Sequence, residues 1–377
     1  DWTRAKHSSV DSHRHLPTQH SRRRDPEEKE EEEMDRFTAH LGVGVVMYIL
    51  LAAAPRTTAT FSFLSIGDWG DTGAKDIAGS MAKYNPEFVL ALGDNFYDQG
   101  VNGIDDPQFK EKFEDTFSSK SLQVPWYVCA GNHDYYGGNK GIQAEMEYTT
   151  KSDRWHYPEL YFSKDVKTVD NTSITILSID TWRLNGGDTY VLFDPKTNRS
   201  ALRNVSHAIK QYELGAITNG TVNQLLKHFA PEDPNNRVNV SDDQAQLDFI
   251  EKVLNASQAD WKLVIGHFPV YSATVMEHGS TESLIRLVKP LLDKYKVDAY
   301  FNGHDHVLQH IQTDGINYFG SGAGAREHTG INKSFPGLKG YHEGTYGFMV
   351  HEGNKSSLKT TFIAQDGSET YTYTIHK

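Results

Sequence analysis

The sequence predicts an α/β fold, and three observations lead to this prediction. Five short apolar, β-branched or aromatic runs have the length of strands, each is stopped by glycine, and helical patterns lie between them. Because the runs are almost continuously apolar, we expect strands that are covered on both faces, as in an α/β sheet. At 377 residues the chain is long enough for one large domain or two modest ones.

Each predicted strand is followed at once by a side chain with an oxygen or nitrogen donor. In chain order the junctions read FSFLSI-GDWG, EFVLAL-GDNFY, WYVCA-GNHD, WKLVI-GHFP and DAYFN-GHDH. A single Gly-Asp after a strand is usually only a turn, and one Gly-His-x-His motif is a weak signal. Five junctions with the same donor chemistry indicate one site, because ligands of α/β sheets bind at the carboxyl ends of the strands.

Helix and hairpin signals lie between and after these strands. Asp106-Pro107 predicts a helix start, and phenylalanine follows at positions 109, 113 and 117, on one helical face. A capping box at Ser241 predicts a second helix start. The C-terminal segment alternates polar and apolar residues around Asp366-Gly367, which predicts an antiparallel hairpin.

Composition excludes several classes of protein. The 38 basic and 50 acidic residues give a net charge of −12, which argues against nucleic acid or an anionic membrane as a general partner. The hydrophobic content of 37% excludes collagen-like, coiled-coil and wholly disordered chains. The single cysteine excludes an intrachain disulfide and a thiolate zinc cluster, so the 18 histidines point to imidazole and carboxylate chemistry.

The first 59 residues are predicted to precede the mature domain, which we place at residues 60–377. Residues 1–33 are highly charged, a composition typical of disorder, and we expect upstream sequence that is not normally translated, because the first methionine is Met34. Residues 34–59 contain the uncharged run Leu41–Ala54 and a small-residue end at Ala59, the pattern of a secretory signal peptide. A membrane anchor is the alternative, but a span needs about 20 apolar residues.

Glycosylation sequons agree with export and predict a secreted or endolysosomal protein. N-x-[ST] sequons occur at Asn171, Asn198, Asn204, Asn219, Asn239, Asn255, Asn332 and Asn354.

The side chains at the strand ends have the chemistry of a metal site. The seven candidate donors are Asp68, Asp94, Tyr97, Asn132, His267, His304 and His306. Oxygen and imidazole ligands suit Fe, Mn and Zn. Seven donors are too many for one ion with an open position, whereas two ions about 3.5–4 Å apart fit if one carboxylate bridges them. Free phenol has a pKa near 10. Since Fe(III) favours phenolate strongly, Tyr97 indicates one ferric ion beside a divalent ion.

These motifs resemble those of the purple acid phosphatases of the calcineurin-like metallophosphoesterase superfamily, and among them the small animal type, the tartrate-resistant acid phosphatases. GDWG, GDNFY, VPWYVCAGNHD, GHFPVYS and GHDH occur in the family order, and the resemblance runs from Phe61 to the C-terminus. It implies a four-layer sandwich of two mixed β-sheets flanked by α-helices. It also implies an acid phosphatase that hydrolyses phosphate monoesters, either small esters or phosphoproteins, by attack of a metal-bound hydroxide.

The resemblance further implies a role for each site residue. The implied ligands are Asp68, Tyr97 and His306 for Fe(III), Asn132, His267 and His304 for a divalent ion (Fe(II), Zn or Mn), and Asp94 as the bridge between them. His133 matches the histidine that contacts substrate and donates a proton. His278 matches the second active-site histidine, although the SATVME segment before it is longer than the family spacing. We expect a monomer that has no contact with a membrane after signal cleavage.

Two features depart from the family pattern. The small animal enzymes usually carry a disulfide near the active-site loop, whereas this chain has only Cys129, which we expect to be a buried core thiol. The segment from about 183 to 240 is longer than the family loop and carries four of the eight sequons. A polar insertion of this size is functional or mobile by default, so it would either restrict the site or be cleaved by proteases.

Two other functions are compatible with the residues. One is an iron-binding secreted glycoprotein with incidental hydrolase activity, and the other is a nucleotide phosphodiesterase on the same scaffold. A Ser/Thr protein phosphatase would read Gly-Asp-x-Val-Asp-Arg-Gly where this chain reads GDNFYDQG. Seven histidines stand outside the strand-end motifs, and we expect ordinary surface or loop positions for His207, His228, His310, His328, His342, His351 and His376.

Overall fold

The computed structural model describes residues 60–185, 243–275 and 278–377. The predicted upstream segment 1–33, the predicted signal peptide 34–59 and most of the 183–240 insertion lie outside the described residues. So do the capping-box residue Ser241, His207, His228 and four sequons, those at Asn198, Asn204, Asn219 and Asn239.

The described strands are β1 (Phe61–Ile66), β2 (Phe88–Leu92), β3 (Trp126–Cys129), β4 (Trp155–His156), β5 (Phe162–Lys167), β6 (Ser173–Ser178), β7 (Trp261–Ile265), β8 (Ala299–Asn302), β9 (Leu308–Thr313), β10 (Ile316–Ser321), β11 (Leu338–His342), β12 (Gly347–Gly353), β13 (Ser357–Ala364) and β14 (Glu369–His376). The described helices are α1 (Ala74–Met81), α2 (Asn132–Tyr135), α3 (Gly138–Tyr148), α4 (Thr181–Leu184), α5 (Asp243–Ala256), α6 (Glu282–Leu287) and α7 (Lys289–Lys294), with 3₁₀ turns at Ala82–Tyr84 and Lys120–Leu122 and a π-helical segment at Phe109–Glu114.

The strands form two mixed sheets, which confirms the predicted fold class. One seven-stranded sheet has the order β14-β13-β12-β1-β2-β3-β4, and the other has the order β11-β9-β10-β8-β7-β6-β5. In the first sheet β1 to β4 are parallel, and β12 lies antiparallel to β1. In the second sheet β6, β7, β8 and β10 are parallel neighbours. The five predicted strands that end in donors are therefore shared between the sheets, as β1, β2 and β3 in one and β7 and β8 in the other.

The apolar strand runs are buried as their composition predicts. β2 and β3 have no exposed residue, because both of their faces are covered. The ring of Phe63 on β1 meets that of Phe301 on β8 edge-on, with 6.1 Å between the centroids, so side chains of the two sheets share one core. Cys129 is a buried free thiol, as expected.

The predicted helix start and the predicted hairpin are both present. Asp106 caps the helical segment, since its Oδ1 accepts a hydrogen bond from the backbone N–H of Gln108 at 3.0 Å. The chain then takes the wider π-helical form over Phe109–Glu114, and the phenylalanines at positions 109, 113 and 117 are buried beside Trp69, Trp126 and Trp155. The β13–β14 hairpin turns where predicted, through a glycine at position 367 with φ of 86°.

The prediction that His310 and His351 are ordinary surface or loop histidines is wrong. Both are fully buried in strands, where their side chains point into the core. The two ring nitrogens of His351 bond to the hydroxyls of Ser65 and Thr360, each at 2.9 Å. Because both ring nitrogens have a hydroxyl partner, all hydrogen-bonding groups of a neutral imidazole are satisfied. The ring can therefore be buried in the core among apolar side chains. His376 is exposed, as predicted.

Among the described residues, no helix combines the length and the apolar character needed to cross a bilayer.

Candidate metal centre

Three of the strand-end donors have an unusual backbone conformation. Asp68, Asp94 and His304 follow the glycines after β1, β2 and β8, and they have φ of 58°, 52° and 69°. Residues other than glycine rarely take this left-handed conformation, and it concentrates at functional sites. The glycine at position 131 is also required for lack of space, because a Cβ built on it would lie 2.2 Å from Asp94 Oδ1. The Gly-donor junctions therefore turn the donor side chains sharply off the strand ends.

Backbone hydrogen bonds join the two sheets at this edge. The N–H of Gly67, after β1, donates to the carbonyl of Ser321 at the end of β10 at 2.7 Å. The backbone N–H of His304, after β8, donates to Asp68 Oδ2 at 2.8 Å. Donors from both sheets consequently converge on one place.

One group of donors consists of Asp68, Tyr97 and His306. The Tyr97 hydroxyl donates to Asp68 Oδ1 at 2.9 Å, and it lies 3.3 Å from His306 Nε2. His306 Nε2 lies 3.4 Å from the same Asp68 oxygen. Three side chains from three different strand ends thus bring their donor atoms within a few ångströms of one another.

A second group consists of Asn132, His267 and His304, with Asp94 beside it. His267 Nε2 lies 3.1 Å from Asn132 Oδ1, 3.3 Å from His304 Nδ1 and 3.4 Å from Asp94 Oδ1. Ligand atoms of Asp68, Asp94 and His267 all lie within 4.8 Å of one another. Asp94 therefore lies between the two groups.

Contacts behind the donors fix their orientation. His267 Nδ1 donates to the carbonyl of Leu92 at 2.8 Å, so the other ring nitrogen of a neutral imidazole faces Asn132 with a lone pair. The backbone N–H of His133 donates to Asp94 Oδ1 at 2.9 Å. Such outer hydrogen bonds are typical of ligands that are held ready for a metal ion.

Burial perturbs the ionisation of the first group. Burial raises the pKa of Asp68 to about 8, because nearby Asp94 adds to the effect and His267 offsets it only in part. Burial and the charges of the two carboxylates also raise the pKa of the Tyr97 phenol well above its usual range. For Asp94, His267 and His133 outweigh burial and lower the pKa. The two carboxyl groups and the phenol can therefore be ionised at the same time only if additional positive charge is present in the site.

The residues present fit two metal cations. Asp94 Oδ2 is buried and accepts no hydrogen bond from any residue that the structure describes. His267 Nε2 and Asn132 Oδ1, an imidazole nitrogen and an amide oxygen that can both bind a metal, lie 3.1 Å apart. Burial and neighbouring imidazoles lower the pKa of His304 far below its usual range, which keeps this ring neutral and able to bind a metal.

The side chain of His133 lies beside the donors but forms none of their hydrogen bonds; only its backbone N–H bonds to Asp94. Its Nδ1 is hydrogen-bonded to the carbonyl of Asp98 at 2.7 Å, and its Nε2 lies 3.9 Å from Asp94 Oδ2. Its ring is 4.4 Å from the Tyr97 ring, centroid to centroid, and its side chain is 23% exposed. One ring nitrogen is thus fixed, and the other is directed into a site that solvent can reach.

His278 also lies at the site. Its ring centroid is 4.2 Å from that of His304 and 5.7 Å from that of His306. Burial, together with His306 and His328, lowers the pKa of His278 to about 3, so the ring is neutral. The longer spacing before His278 does not prevent its ring from reaching the donors.

Two further side chains of the site were not predicted. His328 is a partly exposed loop residue, as expected, but it is not an ordinary one, because its ring stacks on that of His306 with 5.2 Å between the centroids. Its backbone N–H bonds to the His306 carbonyl, which holds the loop after β10 over the site. Arg326, two residues earlier, lies above the Tyr97 ring. Both follow β10 and Gly322, but the residues directly after that glycine are alanine and glycine, so no donor marks this junction as part of the site.

Comparison with known proteins identifies the family. A family model described as calcineurin-like phosphoesterase matches residues 61–308. The human tartrate-resistant acid phosphatase type 5 is 32% identical over 363 residues, which cover 90% of this chain and 97% of that protein. The rabbit protein of the same name is 34% identical, with coverage of 86% and 93%. Purple acid phosphatase 4 of Arabidopsis thaliana is 31% identical, with 86% of each chain covered.

Solved structures with low sequence identity share the fold. GAP50, described as the anchor in the inner membrane complex of Plasmodium, superposes with a TM-score of 0.63 at 19% identity, covering 84% of this chain and 89% of its own. A purple acid phosphatase from yellow lupin seeds superposes with a TM-score of 0.57 at 14% identity, covering 85% of this chain and 54% of its own. The family model and the relatives above 30% identity confirm the resemblance read from the motifs: the chain belongs to the calcineurin-like phosphoesterase family and, within it, to the purple acid phosphatases.

Proposed function

We propose that this protein is an acid phosphatase with a dinuclear metal centre that hydrolyses phosphate monoesters. The observation that carries the proposal is the convergence of seven oxygen and nitrogen donors from five strand ends into two groups with Asp94 between them. Membership of the purple acid phosphatases supports the same activity.

The proposed ligand assignment follows the two groups. Fe(III) would be held by the group that contains the phenol, and a divalent ion (Fe(II), Zn or Mn) by the group that contains the amide and two imidazoles, while Asp94 would bridge the ions. Phenolate is a ligand for a hard, highly charged cation, and such a cation would favour ionisation of the Tyr97 phenol, whose pKa burial and the two nearby carboxylates raise well above its usual range. The proposed ligands are Asp68, Tyr97 and His306 for Fe(III) and Asn132, His267 and His304 for the divalent ion.

Bound metal ions would neutralise charge on the phosphate oxygens and activate water for attack on phosphorus. The residues of the chain position the substrate and handle the proton. A phosphate ester in the site would lie beside the partly exposed ring of His133, whose Nδ1 is held by the Asp98 carbonyl. A proton on Nε2 of this ring can pass to the ester oxygen as the leaving alcohol departs, which is general acid catalysis. His278, neutral and close to His304, would donate a hydrogen bond to phosphate.

The proposal extends to processing and location. Cleavage after Ala59 would release a mature domain of residues 60–377, which would be secreted or endolysosomal and monomeric. Among the sequons that the structure describes, the asparagines at 171, 255 and 332 are exposed and can accept a glycan. The insertion at about 183–240 would restrict access to the site or be removed by proteolysis.

One purified sample tests this function. We expect two metal ions per chain, a visible band from a tyrosinate–Fe(III) pair, and turnover of a generic aryl phosphate at acid pH. Metal and colour without turnover would support the alternative of an iron-binding secreted glycoprotein. Faster cleavage of a nucleotide phosphodiester than of the matching monoester would support the phosphodiesterase alternative. A colourless, metal-free and inactive protein would contradict all three functions.

A further inference from the structure

Arg326 makes three contacts with two turns of the candidate site. Its guanidinium carbon lies 3.9 Å from the centroid of the Tyr97 ring. The same side chain forms ion pairs with Asp71 at 2.9 Å and with Asp98 at 2.8 Å. Asp71 follows the GDWG turn and Asp98 follows the GDNFY turn. One cation from the loop after β10 therefore joins two of the turns that carry candidate ligands.

The segment held by Arg326 supports two functional side chains. Tyr97 is a candidate ligand, and the carbonyl of Asp98 accepts the hydrogen bond from His133 Nδ1 at 2.7 Å. The carbonyl of Tyr97 is itself held by Lys112 Nζ at 2.5 Å. A displacement of residues 97–98 would consequently move the phenol and release the ring of His133 together.

We propose that Arg326 is a positioning residue for both Tyr97 and His133. It holds residues 97–98 from the side of the tyrosine ring, so that the Tyr97 hydroxyl stays within reach of Asp68 and His306 while His133 Nε2 faces the site. This inference rests on the proposed function, because it assigns Arg326 a part in aligning the proposed ferric ligand and the proposed proton donor.

The shape of arginine suits this position. A planar guanidinium can lie flat on an aromatic ring and still direct N–H groups at two carboxylates, whereas an ammonium group is a compact charge without a flat face. The cation also affects the electrons of the ring below it. A positive charge over the ring stabilises phenolate, and so it raises the energy needed to move an electron from Tyr97 to a bound Fe(III) ion. Loss of that charge should therefore shift the visible band to longer wavelength.

The test compares Arg326→Gln and Arg326→Lys with Arg286→Gln, which removes an exposed arginine on α6. At full metal content, we expect Arg326→Gln to shift the band to longer wavelength and to lower kcat by about 10- to 100-fold, the range expected when a reacting group is misplaced by about 1 Å. KM should change much less, because the metal ligands that would bind phosphate are still present. Arg326→Lys should restore part of kcat through its charge, and Arg286→Gln should match the unaltered protein.

A crystal structure of Arg326→Gln without metal supplies a readout that does not depend on the proposed metals. We expect residues 97–98 to be displaced and the bond from His133 Nδ1 to the Asp98 carbonyl to be broken. An unchanged segment, or an unchanged band and kcat at full metal content, overturns the role of Arg326. If the unaltered protein loaded with iron shows no visible band, the ferric–Tyr97 assignment fails instead, and the crystal structure still decides whether Arg326 holds the segment. If Arg326→Gln does not fold, Arg326→Lys is tested in its place: it should displace residues 97–98 and lower kcat to a smaller extent, and an unchanged segment and kcat would overturn the role of Arg326.

Discussion

Two sets of buried histidines in this molecule differ in what surrounds their ring nitrogens. In the sheet core, His351 bonds to two hydroxyl groups, and His310 bonds to Asn317 at 3.0 Å and to the Tyr371 hydroxyl at 2.9 Å. Every ring nitrogen of these two residues has a neutral partner. At the strand ends, by contrast, His267 has one nitrogen fixed by a backbone carbonyl and the other directed at acceptors and a carboxylate.

The pKa does not separate the two sets. Burial lowers the pKa of His351 to about 3 and that of His310 to about 4, and it also lowers the pKa of His304 at the candidate metal centre. A buried neutral imidazole is therefore common to the core and the site. What distinguishes the site is geometry, because its ring nitrogens converge with carboxylate, amide and phenol oxygens, a set of donors that suits a metal cation.

The largest expected effect comes from removing the carboxylate between the two donor groups. Asp94→Ala should abolish the binding of both metal ions, since a bridging carboxylate serves both of them and its removal leaves the two cations to repel each other. Metal analysis of the purified variant measures this. Asn132→Ala is the matched comparison, and it should weaken only the divalent site. Two retained metals in the Asp94 variant would contradict the bridging role.

The next effect tests a histidine that lies at the site but is not a proposed ligand. His133→Ala should lose roughly 10²–10⁴-fold in rate, the span of general acid catalysis, while keeping two metal ions. The loss should be smaller for aryl phosphates, whose leaving groups are stable without a proton. Kinetics with an alkyl and an aryl ester on the same metal-replete sample measure the difference. An equal loss for both esters would rule out proton donation and leave His133 as a phosphate-binding residue.

A third variant changes only the phenol of the first donor group. Tyr97→Phe should remove the visible phenolate-to-iron band with little change in the fold, because the ring stays in its buried place and only the hydroxyl is lost. Absorption spectra, with circular dichroism as the check on folding, test this. A band of unchanged position and intensity would assign the colour to another tyrosine or to a different chromophore.

The smallest effect concerns the core set and the stability of the fold in acid. His351 has a folded pKa of about 3 against an ordinary value of 6.5, so between these pH values the unfolded chain binds a proton that the folded chain does not. The free energy of unfolding should therefore fall as the pH falls through this window, by about 2 kcal/mol between pH 7 and pH 5 from this residue. His351→Gln should remove that part of the pH dependence.

Urea unfolding at the two pH values measures this change, and His376→Gln is the control because His376 is exposed. The same pH dependence in the His351 variant and in the unaltered protein would show that His351 is protonated in the folded state, which would contradict a neutral imidazole in the core.

Local sequence pattern accounts for much of this protein. Strand length, apolar composition and the glycine stop identify β1, β2, β3, β7 and β8, because burial on both faces and the left-handed turn impose their requirements within a few adjacent residues. The hairpin at Asp366-Gly367 and the helix cap at Asp106 are local in the same sense. The candidate donors are local in a similar way, since each stands within a few residues of the end of one of these strands.

The family resemblance implies how those donors are grouped, but only the tertiary structure decides which contacts they make and what else surrounds them. Tyr97 meets His306 across 209 residues of chain, and Arg326 reaches Asp98 across 228. Contacts of this kind depend on the order of strands in two sheets and on where a loop crosses the sheet edge. The pattern of apolar and polar residues within one short segment determines neither of these. The burial of His351 has the same cause, because its partner Ser65 lies 286 residues away on the neighbouring strand, and a polar ring becomes a core residue only once that strand supplies its hydrogen bond.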